Sequence, residues 1–201
     1  MSLEGPVSRY LNRRLSRPLA RALAHTPATP NQVSVAAALL AAGALALLGA
    51  GRNIEAGVLI QASSIVDGAD GDLARLKGMA SRFGAVFDAV LDRYADAAVI
   101  GGLAWWAAAR EEWPAPLLMG LAALVGALSV SYSRARIEHE GGRDVAGAVI
   151  GLASRDVRML ALAIGAVVGQ AYWTLAAVAA LSWLTVAWRL FAGRGLLDRA
   201  S

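Results

Sequence analysis

The sequence predicts an all-α, polytopic membrane protein: six transmembrane helices preceded by an N-terminal amphipathic interfacial helix. Three observations lead there. Of the 201 residues, 57% are hydrophobic and 17% charged, with a mean hydropathy of +0.51; a soluble domain carries about a quarter charged residues, so the apolar excess faces lipid. Apolar runs near the length needed to cross a hydrocarbon core recur between short polar turns. The arginines are concentrated on alternate turns, as positive-inside topology requires. The length suits one domain, residues 1–201, with 1–28 as the interfacial helix and 30–192 as the bundle.

The first 25 residues lack the apolar core of a signal peptide. Val7, Leu11, Leu15, Leu19 and Leu23 recur every four residues, with Arg9, Arg13, Arg17 and Arg21 on an offset face. That pattern predicts an amphipathic helix lying on an anionic membrane surface or packed on the protein's own core. Thr29, Pro30 and Gln32 then form a capping box with proline at the first helical position. They open a first span over 33–50. Further spans are expected at 54–74, 84–109, 115–137, 157–169 and 171–191. The fifth is separated from the sixth only by Gly169-Gln170 and could extend back toward Ser154.

Five arginines precede span one; Arg75, Lys77 and Arg82 lie between spans two and three. Arg134, Arg136, Arg143, Arg155 and Arg158 lie between spans four and five, and Arg189, Arg194 and Arg199 at the end. The opposite turns hold only Arg52 and Arg110. The arginine-rich side, with both termini, is therefore expected on the cytoplasmic side of the cell membrane. The basic composition reads as topology and anion binding, not as nucleic-acid binding. There is no cysteine and there are two histidines, His25 and His139, so a zinc site built from His and Cys is not expected and any metal is expected on oxygen ligands.

Six acids fall within 30 residues: Asp67, Asp70, Asp72, Asp88, Asp92 and Asp96. Charge inside a spanning helix is costly and marks function. Asp67 and Asp70 are i, i+3 neighbours, and Asp88 and Asp92 are i, i+4 neighbours, so each pair shares a helix face. A short basic turn folds span three against span two and lets the pairs meet. Clustered carboxylates repel unless cations compensate them. Oxygen ligands suit Mg²⁺ or a similar hard ion, and two ions could clamp phosphates here. Gly68, Gly71 and Gly84 leave room for a phosphate or nucleotide to approach the helix backbone, and Arg75 could pair with a phosphate. Asp72 and Asp96 read better as buried ion pairs with nearby arginines.

The stretch Asp67-Gly-Ala-Asp70-Gly71-Asp-Leu-Ala74-Arg75, eight residues, then Gly84-Ala-Val-Phe-Asp88-Ala-Val-Leu-Asp92 resembles the signature of the CDP-alcohol phosphotransferase family at every fixed position. Eight specified residues coincide by chance on the order of 10⁻¹⁰ per starting position. The resemblance covers the whole chain: interfacial helix, six spans, and the motif across spans two and three. It implies transfer of a substituted phosphate group from a CDP-alcohol to an acceptor hydroxyl, with release of CMP. It implies Asp67, Asp70, Asp88 and Asp92 as ligands of Mg²⁺ or Mn²⁺, two ions in all, and Asp92 as the base. It implies a CDP site of Asp67, Gly71, Ala74, Arg75 and Gly84, which Asn31 helps to line, and a homodimer in the bilayer.

Ser131-Tyr-Ser-Arg134-Ala-Arg136 and Ser154-Arg155-Asp-Val-Arg158 resemble the phosphate-binding segments of phosphatidylinositol-phosphate synthases. Arg134 stands where those usually carry lysine, and Asp-Val replaces their Pro-Glu. Val7-Ser-Arg-Tyr-Leu-Asn-Arg-Arg, Thr29-Pro-Asn-Gln-Val-Ser and the Ser154 segment are similar to di-myo-inositol phosphate phosphate synthases. These are often fused to a soluble cytidylyltransferase, which these 201 residues do not include. Both branches imply a phosphorylated polyol acceptor such as inositol phosphate. Its phosphate would be met by Arg134, Arg136, Arg155 and Arg158, with Ser81 and Arg82 as further candidates. A phospholipid synthase using CDP-diacylglycerol is the alternative within the family. An ion-coupled secondary transporter is the alternative outside it, but transporter acids lie near the midplane between repeats, whereas these cluster at the cytoplasmic ends of adjacent helices. Trp105, Trp106, Trp113, Trp173 and Trp183 read as interface anchors or packing.

Overall fold

The computed structural model describes residues 12–148 and 153–197. Within them the chain is all helical: α1 (Arg13–Ala24), α2 (Pro30–Gly49), α3 (Asn53–Leu76), α4 (Arg82–Arg110), α5 (Pro116–Ala148), α6 (Arg155–Val168) and α7 (Ala171–Leu197). Val7, Arg9, Leu11 and Arg199, and the side chain of Arg143, lie outside the described residues.

Several helix ends have a chemical cause. The Thr29 hydroxyl accepts from the Gln32 N–H and the Gln32 side chain accepts from the Thr29 N–H, so α2 opens on the predicted capping box. The Ser81 hydroxyl accepts from the Gly84 N–H at 2.9 Å and caps α4. Between α3 and α4 the backbone turns through Gly78 at φ +63°, a conformation that favours glycine. Lys77 donates to the carbonyls of Thr26 and Ala28 at 2.6 and 2.7 Å and ties this turn to the α1–α2 linker. At the other end of the bundle the Glu111 carboxylate accepts from the Ala171 and Tyr172 N–H groups and caps α7. Beside it Trp113 packs on Tyr172 and Trp173.

α2 packs on α3 and α4, α3 on α6 and α1, α5 on α7 and α4, and α6 on α7. The core is rich in alanine: Ala41, Ala44, Ala56, Ala95, Ala107, Ala123, Ala127, Ala163 and Ala166 are buried. Small residues let helix backbones approach closely, the main source of helix association where lipid removes the hydrophobic drive. Large apolar side chains point outward instead, among them Val58, Leu118, Val168 and Phe191. α1 lies against α3 through Asn12, Ser16 and Ala20. The Asn12 amide donates to Ser64 at 3.0 Å and accepts from Gln61 at 2.9 Å. Leu15, placed by the periodicity on the apolar face, is exposed.

Among the described residues, three helices are long and apolar enough to cross a membrane: α2, α5 over Pro116–Glu140, and α7 over Ala171–Arg194. The six-span count goes further than this. α6 has 14 residues, a length of about 21 Å against the roughly 30 Å of a hydrocarbon core. α3 and α4 have the length but carry the clustered acids.

A Cβ on Gly57 would stand 2.6 Å from the Ala163 carbonyl oxygen and 3.1 Å from the Val167 nitrogen, backbone atoms that no rotamer change moves. Gly57→Ala should destabilise the α3–α6 crossing by about 1–3 kcal/mol, read as a lower thermal unfolding midpoint in detergent. At Gly101 a Cβ meets nothing within 4 Å, so Gly101→Ala should leave the midpoint unchanged or raise it.

Candidate functional site

The site is built where the C-terminal half of α3 faces the N-terminal half of α4, with α2 on one flank and the start of α6 on the other. One oxygen from each of Asp67, Asp88 and Asp92 lies within 4.8 Å of the others, a spacing that can hold a metal ion. The first comes from α3 and the other two from successive turns of α4, as their sequence spacing predicts. Oδ1 of Asp88 is buried and no hydrogen-bond donor reaches it. An all-oxygen set with an unsatisfied buried oxygen fits a hard divalent cation. Asp70 is a neighbour of Asp88 but lies outside that triad. It accepts from the Ser34 hydroxyl on α2 and from the Gly71 N–H.

Arg155, the first residue of α6, reaches into the cluster. Its guanidinium pairs with Asp67, lies 2.9 Å from Asp92 Oδ1, and turns its Nε to Asp96 at 3.4 Å. That Asp92 oxygen fails strict hydrogen-bond angles, yet a 2.9 Å ion pair satisfies it electrostatically, because Coulomb attraction depends on distance more than on angle. Arg93 pairs with the other Asp92 oxygen at 3.2 Å. Asp96 is buried and accepts from Arg158, itself 3% exposed, at 2.8 Å. Asp72 pairs with Arg13 at 3.2 Å and with Arg75. Both of these acids are in ion pairs, although the partners of Asp96 come from α6 rather than from its own sequence neighbourhood.

Two clefts open beside the carboxylates. The first, of about 240 Å³, is lined by Asn31, Ser34, Asp70, Gly71, Ala74, Arg75, Ser81, Gly84 and Asp88, among others. Five of the six residues that the resemblance implies for CDP are there; Asp67 is instead on the Arg155 side. Gly71 and Gly84 face this cleft, whereas a Cβ on Gly68 would stand 3.4 Å from Ser16 Oγ, so that glycine faces α1. The second cleft, of about 440 Å³, is lined by Asp88, Asp92, Arg93, Ser131, Arg134, Glu138, Ser154, Arg155, Arg158 and Arg189, among others. Of the arginines expected around an acceptor phosphate, Arg134, Arg155 and Arg158 line it. Ser81 lines the first cleft as the α4 cap. Arg82 lines neither, and Arg136 lines neither and pairs with Glu140 at 2.7 Å.

Sequence reasoning missed two residues. Arg189 is 5% exposed and donates to the Val130 carbonyl and to Ser133. Its signal is an arginine inside α7, five residues before Arg194, which a count of positive charges by side absorbs into topology. Ser34 sits one turn into α2, and nothing in a lone serine announces its hydrogen bond to Asp70.

Asp67→Asn and Asp88→Asn should each weaken Mn²⁺ binding at least about tenfold, since one charge contact at such distances exceeds about 1.4 kcal/mol. Asp72→Asn, off the cluster, should change it little. Calorimetric titration in detergent distinguishes them.

Comparison with known proteins finds relatives of this chain in sequence and in structure. A family model described as CDP-alcohol phosphatidyltransferase matches residues 27–192. A bifunctional IPC transferase and DIPP synthase from Rubrobacter xylanophilus is 48% identical over 89% of this chain, although the chain spans only 40% of that protein's length. A phosphatidylinositol phosphate synthase from Mycobacteroides abscessus is 35% identical over 98% of this chain and 92% of its own. The crystal structure of phosphatidylinositol phosphate synthase from Mycobacterium tuberculosis with CDP-DAG bound superposes with a TM-score of 0.75 at 30% identity, covering 90% of this chain and 94% of that one. The same enzyme has been solved in complex with manganese and citrate. The chain belongs to the CDP-alcohol phosphatidyltransferase family.

Proposed function

We propose that this chain is a membrane enzyme that transfers the substituted phosphate group of a CDP-alcohol to a hydroxyl of a phosphorylated polyol and releases CMP. The observation that carries this reading is the position of Asp88, which lines both clefts. The carboxylate cluster thus stands between a glycine-floored cleft suited to a nucleotide and an arginine-lined cleft suited to a second anion. In-line displacement needs donor and acceptor on opposite sides of the phosphorus.

The donor's cytidine half lies in the first cleft, where Gly71 and Gly84 allow close approach and Arg75 meets a phosphate. The acceptor lies in the second, its phosphate toward Arg134, Arg155, Arg158 and Arg189. Divalent cations, two of Mg²⁺ or Mn²⁺, supply neutralisation of charge on the diphosphate when bound to Asp67, Asp70, Asp88 and Asp92. Asp92 takes the proton from the acceptor hydroxyl. The hydroxyl oxygen bonds to the β-phosphorus, the bond from that phosphorus to the oxygen bridging the α-phosphate breaks, and CMP leaves with the electron pair.

Inositol phosphate is the acceptor we favour, because a bifunctional IPC transferase and DIPP synthase and a phosphatidylinositol phosphate synthase are 48% and 35% identical to this chain. CDP-inositol and CDP-diacylglycerol are the two donors to distinguish; the second is supported by the CDP-DAG complex of the Mycobacterium tuberculosis protein. The chain acts as one membrane domain in which α2 to α7 cross the bilayer. Its site and termini are cytoplasmic, α1 lies at the interface, and two copies form a homodimer. Outward-facing apolar side chains on the helices and the arginine-rich turns support this topology.

CMP release should require Mg²⁺ or Mn²⁺, stop with a chelator, and be fastest with inositol phosphate in a panel pairing both donors with inositol phosphate and glycerol phosphate. Asp92→Asn should lower kcat by about 10²–10⁴, the range for a lost general base. No CMP from either donor, or an Asp92→Asn variant as fast as the wild type, would sink the reading.

A further inference from the structure

Arg155 faces two ways. Its Nη1 pairs with Asp67 and Asp92, two of the three carboxylates that can hold a cation, while the residue also lines the second cleft with Arg134, Arg158 and Arg189. Its Nε is turned to Asp96, one helical turn beyond Asp92 on α4. Asp96 is 1% exposed and is held by Arg158, which also donates to the Ala153 carbonyl at 2.7 Å. Asp96 is therefore a fixed partner beside Arg155, and rotation about the aliphatic stem moves the planar guanidinium as one unit between the aspartates and the second cleft.

A divalent cation on Asp67 and Asp92 would meet Nη1 at contact distance, and like charges do not share the same oxygens. While paired with the two acids, Arg155 contributes little net charge to the second cleft. Released from them, it turns a full positive charge toward that cleft, where Glu138 and Asp88 are the acids otherwise present. We propose that Arg155 is an exchangeable counter-ion that couples the two sites: a cation bound to the aspartates frees it to hold an anion in the second cleft, and an anion there draws it off the aspartates. Linkage makes the two effects equal. The inference rests on the proposed function for the identity of the anion, a phosphate group, but the coupling itself concerns binding and not turnover.

The test measures Mn²⁺ and inorganic phosphate binding to the full chain in detergent, each with and without the other, for wild type and Arg155→Gln. Coupling of at least about fivefold, the lower end for linked sites, is expected in the wild type. In Arg155→Gln, Mn²⁺ alone should bind more tightly than to the wild type, because a competing charge has gone, and the coupling should shrink. A residue that merely supports the fold would weaken Mn²⁺ binding when lost. Wild-type coupling below twofold, or Mn²⁺ binding unchanged or weaker in Arg155→Gln, overturns the proposal. If Arg155→Gln does not fold, the same titrations on Arg155→Met, which also removes the charge, decide by the same outcomes. Binding readouts survive a failed turnover assay, so the coupling and the proposed reaction fail separately.

Discussion

Mutual repulsion among the carboxylates is the constraint that the rest of the bundle answers. Two unit charges 4.8 Å apart repel by about 3–4 kcal/mol at an effective dielectric of about 20. Three oxygens inside that distance carry on the order of 10 kcal/mol, comparable with the whole net stability of a domain, about 5–15 kcal/mol. Such a cluster is eased by a bound proton or by neighbouring positive charge. α6 delivers it: Arg155 stands at its first position, and the positive end of the helix dipole lies on the same side. The Asp96–Arg158 pair beneath is nearly sealed from solvent. It must be kept whole, since removing one partner of a buried pair leaves an uncompensated charge.

Close helix approach makes this electrostatic arrangement reachable. α3 touches α6 through Gly57, where even a methyl group would strike the Ala163 carbonyl. Without that approach Arg155 could not reach Asp67 across the two helices. α2 contributes in the same way on the other flank, where the buried Ser34 hydroxyl bonds to Asp70. The carboxylates are thus gripped from both sides by polar groups carried on small-residue interfaces. Lys77 adds a third restraint by fastening the turn between α3 and α4 to the linker before α2.

The portion of this site legible in the sequence is the portion encoded by local geometry. Spacings of three and four within one helix place Asp67 with Asp70 and Asp88 with Asp92 whatever the tertiary packing, and the Thr29 capping box depends only on neighbouring residues. What sequence did not yield depends on how helices rotate against one another. Arg136 and Arg134 are two residues apart, so they point to different sides of α5, and only Arg134 meets the second cleft. Gly68 and Gly71 are three apart, yet the first turns to α1 and the second to a cleft. Asp96 finds its partners 59 and 62 residues away, a pairing that no periodicity announces.

The same charges divide the helices into two kinds. The helices that pass a test of length and apolarity are α2, α5 and α7, and among the described residues none of the clustered aspartates lies on them. α3 and α4 carry all six acids, and α6 is short and opens on Arg155 and Arg158. A charge in an apolar bundle is tolerated where it faces the interior and meets a partner: Asp67, Asp72, Asp92 and Asp96 meet Arg155, Arg158, Arg13, Arg75 and Arg93, and Asp70 meets Ser34. Departure from an apolar pattern therefore marks the helices that carry the candidate site, and the plain helices are those that hold them at the right distance. Local rules fail where function asks for something that folding alone would not select.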